Sequence, residues 1–293
     1  AALACAAAVF IFERWRLARP GGPYAAADFT GIVLLVATGV AWLPWPSSER
    51  ALLWACMALL AIQGAITDHV KAIRGLRALA AIAVAWVLWG ADIGIHTVKL
   101  PFSHSFVNLG GAGLIVGMIW LAVCGSIFAR VGTIPRVSLG TGALTALTFL
   151  AIAALQPANA SSFSVSVAAS VAVICLAQLP FTRYLTTGGA TGGAYALGVV
   201  IGVVAVSGAL KNTAFLVALL PLLVISVPLF ATIYSWLADL LRGRGRGFFE
   251  HRHQHLHEIL LGQGYSEKQM SIVLLLGEAI VCVLAIVLVW LIK

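Results

Sequence analysis

Ten predominantly apolar stretches, at about 1–13, 28–45, 51–66, 76–95, 107–128, 138–156, 161–180, 190–210, 213–241 and 270–292, alternate with short polar interruptions along the chain. A helix that crosses a bilayer consumes about 20 apolar residues. Ten of them would use about 200 of the 293 residues and leave about 90 for nine loops and two tails. The pattern therefore predicts an all-α polytopic membrane protein of about ten transmembrane helices, folded as a single integral membrane domain over 1–293. The opening run AALACAAAVFIF is shorter than a full span and begins with Ala, which reads as a processed or truncated start. It lacks the basic n-region of a signal peptide.

Composition narrows the picture. Hydrophobic residues make up 61% of the chain and charged residues 10%, against roughly 25% charged in an ordinary soluble domain. A water-soluble globule is excluded. The 18 Lys and Arg against 10 Asp and Glu do not cluster on one face as a nucleic-acid partner would require. They sort by loop. Arg14, Arg16, Arg19, Lys71, Arg74, Arg77, Arg130, Arg136, Arg183, Arg242, Arg244, Arg246, Arg252 and Lys268 follow odd-numbered segments, and only Arg50, Lys99, Lys211 and Lys293 fall on the other side. This asymmetry makes the odd-numbered loops cytoplasmic and turns both termini away from the cytoplasm. Reporter fusions near Arg74, Arg136, Arg183 and Arg246 should accordingly report cytoplasm, and fusions near Ser47, Ala160 and Asn212 the opposite face. A cytoplasmic signal at Asn212 would refute the ten-span arrangement.

Cys5, Cys56, Cys124, Cys175 and Cys282 sit singly in apolar stretches with no CxxC pair, which signals neither a disulfide framework nor a thiolate metal site. Small residues recur at Gly113 and Gly117 and again between Gly188 and Gly202. Such spacing marks close helix packing or, alternatively, a lipid or ligand groove.

The longest polar stretch, 242–269, reads RGRGRGFFEHRHQHLHEILLGQGYSEKQ and is a basic, His-rich cytoplasmic loop. His251 with His255 and His253 with His257 have the i, i+4 spacing that can hold zinc on a helix. No carboxylate or thiolate ligand is forced into the same set, so a phosphate or sugar contact and a solvated interfacial loop stay open beside the metal. Arg242, Arg244 and Arg246 suit phosphates or anionic lipid headgroups alike.

The run HLHEILLGQGYSEKQMSIVLLL, preceded by PLLVISVPLFAT, resembles the C-terminal part of the polyprenyl-phosphate N-acetylhexosamine-1-phosphate transferases of the MraY/WecA type, members of glycosyltransferase family 4. There a PLxDT-like span end is followed by a basic loop, an HxHH or HHH motif, LLxxGxS and a last helix. GAITDHVKAIRGLRALAAIAVAWVL is similar to the segment around the family's DDxxK motif, with Asp68 at the second aspartate and Lys71 at the lysine. LTTGGATGGAYALG is similar to the segment around GDxGSxxLG, with Gly193, Leu197 and Gly198 in register. The likeness covers about residues 60–293 and implies an MraY/WecA-like bundle in a bacterial inner membrane, with the catalytic loops on the cytoplasmic face.

The reaction the resemblance implies moves a sugar phosphate from a UDP-sugar to a polyprenyl phosphate, with Mg²⁺ and cationic side chains neutralising two polyanions. Mg²⁺ wants carboxylates. Thr67 stands at the first aspartate of DDxxK, Thr191 at the aspartate of GDxGS and Ala231 at that of PLFDT. The loop after the fifth segment, CGSIFARVGTIPRVSLG, contains no Asp, Asn or Glu where the family has an NxxNxxDGxDG run. Asp68 and Lys71 are then remnants of the catalytic set, and Arg252, His255, His257 and Glu258 are the residues expected to contact substrate or phosphate.

The expectation is a catalytically inactive homologue that serves as a structural or interaction subunit of a larger membrane complex. No metal site and no cofactor is expected. Its partners would be membrane lipids, polyprenyl phosphate and other membrane-protein subunits. The alternative is an active UDP-sugar:polyprenyl-phosphate sugar-1-phosphate transferase whose rearranged Mg²⁺ site draws on Asp68 and at least one of Glu250, Glu258 or Glu267, converging on a cleft with the histidines.

Three further features sit within or beside the spans. Glu278 lies inside the last apolar segment, where an ionisable group is costly and marks either a functional site or a contact with another helix or subunit. Asp92 and His96 stand i, i+4 near the outer end of the fourth segment and read as a local interfacial pair. Trp42, Trp45, Trp86, Trp89 and Trp290 lie near segment ends, as an aromatic belt does.

Overall fold

The computed structural model of the chain describes residues 47–69, 76–99, 106–132, 134–157, 161–180, 192–207, 264 and 266–292. These form seven α-helices: α1 (Ser48–His69), α2 (Leu76–Gly90), α3 (Gly111–Val131), α4 (Pro135–Leu155), α5 (Ser162–Gln178), α6 (Gly192–Ser207) and α7 (Glu267–Ile292). Each coincides with one of the predicted apolar segments. The segments at 1–13, 28–45 and 213–241 lie outside the described residues. Among the described helices, three are long and apolar enough to cross a membrane, over Gly111–Val131, Arg136–Leu155 and Lys268–Leu291, and α2, α5 and α6 are shorter and equally apolar. The chain is an α-helical membrane protein.

The helices alternate in direction. Gly132 meets Ala194, Gly198 meets Phe128, and Gly202 meets Leu121, so α3 and α6 run antiparallel. Ser161 Oγ donates to the carbonyl of Ser207 at 3.1 Å and closes α5 against the far end of α6. Helices α4 and α7 run parallel, since Gly140 packs on Leu275 and Thr148 reaches Cys282. One end of the bundle consequently carries Arg77, Arg130, Arg136 and Lys268, while Arg50 and Asp92 lie at the other.

The core is built around α6, which packs against α1, α3, α4 and α5 and is buried on every side. Lipid tails are as apolar as leucine, so no hydrophobic force drives these helices together; close packing of small residues does. Gly192 meets the backbone of Gly64, and Gly198 meets the Cys124 carbonyl and Phe128. Sequence spacing placed Gly113 and Gly117 together, but the structure separates them. Gly113 abuts the Ile95 carbonyl, whereas a Cβ at Gly117 would meet nothing among the described residues, and Gly117 lines a partly open apolar pocket with Leu88, Trp89, Leu114, Leu121 and Val203.

The fourth apolar segment is not helical throughout. Helix α2 stops at Gly90 in a Schellman-type cap, with the Ile93 N–H donating to the Leu88 carbonyl at 2.9 Å and the Asp92 N–H to the Trp89 carbonyl at 3.0 Å. Asp92 takes the left-handed position, φ 60°, which aspartate tolerates better than most residues. The chain then forms a short antiparallel pair, β1 (Thr97–Lys99) with β2 (Phe106–Asn108), in the register Thr97↔Asn108. Asp92 and His96 are a local pair, Oδ1 to Nε2 3.1 Å, but in this turn rather than on a helix, and Trp89 stacks on His96 at 4.1 Å between ring centroids.

Candidate functional site

The strongest concentration of buried polar groups at the basic end surrounds the first turn of α6. Gly192 and Gly193 are buried there with Tyr195, and the glycines let α1 approach backbone to backbone at Gly64. The Tyr195 hydroxyl donates to the Arg77 carbonyl at 2.7 Å, which pins the start of α2 to the start of α6. Its ring lies over Gly125 of α3, where a Cβ would stand 2.8 Å from it. Arg77 is buried and Arg130, in the last turn of α3, is partly buried.

Two amides complete the set. Gln63 of α1 has both amide atoms shielded from solvent, and they have no hydrogen-bond partner among the described residues. Gln178, at the end of α5 and 3% exposed, has its Nε2 in the same condition. Cys175 and Leu197 meet at Gly142, so Gln178, almost one turn beyond Cys175 on an antiparallel helix, comes level with the first turn of α6. Buried amide groups without partners cost about 1–3 kcal/mol each, which makes them candidate ligand contacts.

The first N–H groups of any helix lack intrahelical acceptors and carry the positive end of the helix dipole. With Arg77 and Arg130 beside that end of α6, the arrangement suits an oxyanion such as a phosphate. Gln63, Arg77, Arg130, Gln178 and Tyr195 themselves offer cations and neutral groups but no carboxylate, the ligand Mg²⁺ takes. Among the described residues no three His, Cys, Asp or Glu side chains gather where they could hold a metal ion.

Of the residues expected from the sequence, Asp68 lies in the last turn of α1, one turn beyond Gly64. Lys71, Arg252, His255, His257 and Glu258 lie outside the described residues, as do Glu250, His251, His253, Thr191 and Ala231. The LLxxGxS remnant has a structural job at its end: Gly264 turns with φ 90°, and Ser266 caps α7. The Ser266 N–H donates to Gln269 Oε1 at 2.9 Å and the Gln269 N–H to Ser266 Oγ at 3.3 Å, a capping box. Sequence reasoning missed Gln63, Arg77, Gln178 and Tyr195. A glutamine near the end of an apolar helix was the available signal for two of them; no local pattern marks Tyr195.

Cys56, Cys124, Cys175 and Cys282 are buried free thiols, as their isolation in apolar stretches predicts.

Fold and site together define a polytopic α-helical membrane protein with an anion-suited cluster at its basic end. The chain matches no known protein-family model, and no curated protein matches it.

Proposed function

We propose that this protein is a catalytically inactive homologue of the polyprenyl-phosphate sugar-1-phosphate transferases, with a ten-span MraY/WecA-like bundle, that serves as a structural or interaction subunit of a larger membrane complex. The observation that carries this reading is the contact between Gly64 and Gly192. It sets the stretch resembling the DDxxK segment, with Asp68 at the end of α1, beside the stretch resembling the GDxGSxxLG segment, at the start of α6. Segments far apart in sequence thus meet as a shared cleft would require.

Loss of the chemistry follows from the residues in those segments. Thr67, Thr191 and Ala231 stand where the transferases need carboxylates, and a hydroxyl or methyl group supplies little of the electrostatic stabilisation of a metal-bound carboxylate. Anion binding survives that loss. Arg77, Arg130 and the amides of Gln63 and Gln178 supply donors for a lipid phosphate without Mg²⁺, and Lys71, Arg252, His255 and His257 extend the same donor chemistry. The membrane is then the bacterial inner membrane, with the basic end in the cytoplasm.

Purified protein supplied with Mg²⁺, polyprenyl phosphate and a panel of UDP-sugars should release no UMP above background, and the chain should purify from native membranes in a fixed ratio with other membrane subunits. Robust turnover abolished by Asp68→Asn would overturn this in favour of the active transferase.

A further inference from the structure

We propose that Glu278 and the threonine stripe of α4 form an intramembrane binding site for a small monovalent cation, a proton or a sodium ion. Glu278 is completely buried in the span Lys268–Leu291, on the stripe Ser271, Glu278, Cys282, Ala285 and Val289 that α7 turns inward. Its helix packs along α4 in parallel. Leu275 lies on Gly140, and Cys282 lies at Thr148. One turn back along both helices, Glu278 comes level with Leu144 and Thr145. Thr141, Thr145 and Thr148 follow one another at i, i+4 and i+7, so they occupy a single face of α4, and all three are buried.

The hydroxyls differ in what they already hold. Thr148 Oγ1 donates to the Leu144 carbonyl at 2.8 Å. Thr145 is 0% exposed, and its Oγ1 has no hydrogen-bond partner among the described residues. An unused hydroxyl level with a buried carboxyl is a pair of hard oxygen donors, the chemistry that a proton or sodium ion takes and a soft metal does not. A bound monovalent cation also leaves the carboxylate neutral overall, which removes much of the cost of an ionised group at this depth. The other titratable groups on α4 and α7 are Cys282, one turn away, and Arg136, Glu267 and Lys268 at the basic end.

The test uses the full chain in liposomes and the hydrophobic reagent dicyclohexylcarbodiimide, which adds to a protonated carboxyl in apolar surroundings and leaves a mass tag. Glu278 should be tagged and the exposed Glu49 should not, and Glu278→Gln should abolish the tag. Protection by sodium identifies a sodium site; protection by alkaline pH alone identifies a proton site. Thr145→Val should shift the protecting concentration by about threefold or more, as loss of one hydroxyl ligand requires, and Thr145→Ser should not. No tag on the folded protein, a tag indifferent to both sodium and pH, or an unshifted Thr145→Val profile would overturn the proposal.

Discussion

Gly192→Leu should destabilise the folded chain by about 3 kcal/mol or more, at the top of the range for overpacked positions. A Cβ at this position would stand 2.6 Å from Gly64 Cα and 2.6 Å from its carbonyl carbon, closer than packed atoms come. Both partners are backbone, so no rotamer change on either helix relieves the contact. The only relief is to move α1 away from α6, and α6 has α3, α4 and α5 packed on its remaining sides. Gly117→Leu is the control, because a Cβ there meets nothing among the described residues. Thermal unfolding in detergent reads both variants. Equal tolerance of the two would mean that α1 and α6 do not approach through these glycines.

The same pair of glycines shows what a sequence of this kind reveals. Apolar runs longer than a turn or two are bounded sharply by charge and proline, so helix existence and order were legible: every described helix matches a predicted segment. The basic residues carried direction as well. Arg77, Arg130, Arg136 and Lys268 were assigned to one face by loop parity alone, and contacts between the helices bring them to one end. Helix partners were far less legible. When nearly every position is apolar, the usual contrast between buried and exposed faces vanishes, and only the small residues retain a signal. That signal is ambiguous, since Gly113 abuts a backbone and Gly117, one turn on, lines a partly open pocket.

The site was read from a different kind of signal. Asp68 was singled out only through a motif resemblance, while Gln63 and Gln178 announce themselves only when burial and missing partners are known. Tyr195 is less visible still, because its role is a hydrogen bond to a main-chain carbonyl 118 residues away. The end of α2 illustrates the converse. Hydropathy continues through Ala91, Ile93 and Ile95, yet the helix stops because Asp92 accepts a left-handed backbone and glycines flank it. Local backbone chemistry overrode a continuous apolar pattern.

Phe128→Ala should cost about 3–5 kcal/mol, the range for removing a fully buried aromatic side chain. Phe128 faces Gly198 across the α3–α6 seam, where a Cβ on the glycine would stand 2.6 Å from Phe128 Cβ and 2.5 Å from the Cys124 carbonyl oxygen. These two neighbours predict the behaviour of the double variant. Gly198→Ala alone is strongly destabilising because it presses on a side chain and a carbonyl at once. Combined with Phe128→Ala it is relieved only at the ring, whose Cγ would stand 3.0 Å away, because alanine keeps the Cβ at 2.6 Å, so the two changes together cost only slightly less than their sum. The Cys124 carbonyl belongs to the helix backbone and the Cβ at position 128 stays in alanine, so neither withdraws, and the double variant should still be less stable than Phe128→Ala by at least about 1 kcal/mol. A double-mutant cycle measured by unfolding in detergent decides the matter. Complete rescue would mean that only the ring opposes the added methyl group, and that α3 and α6 do not approach as closely as the Cys124 carbonyl, the Cβ at position 128 and Gly198 require.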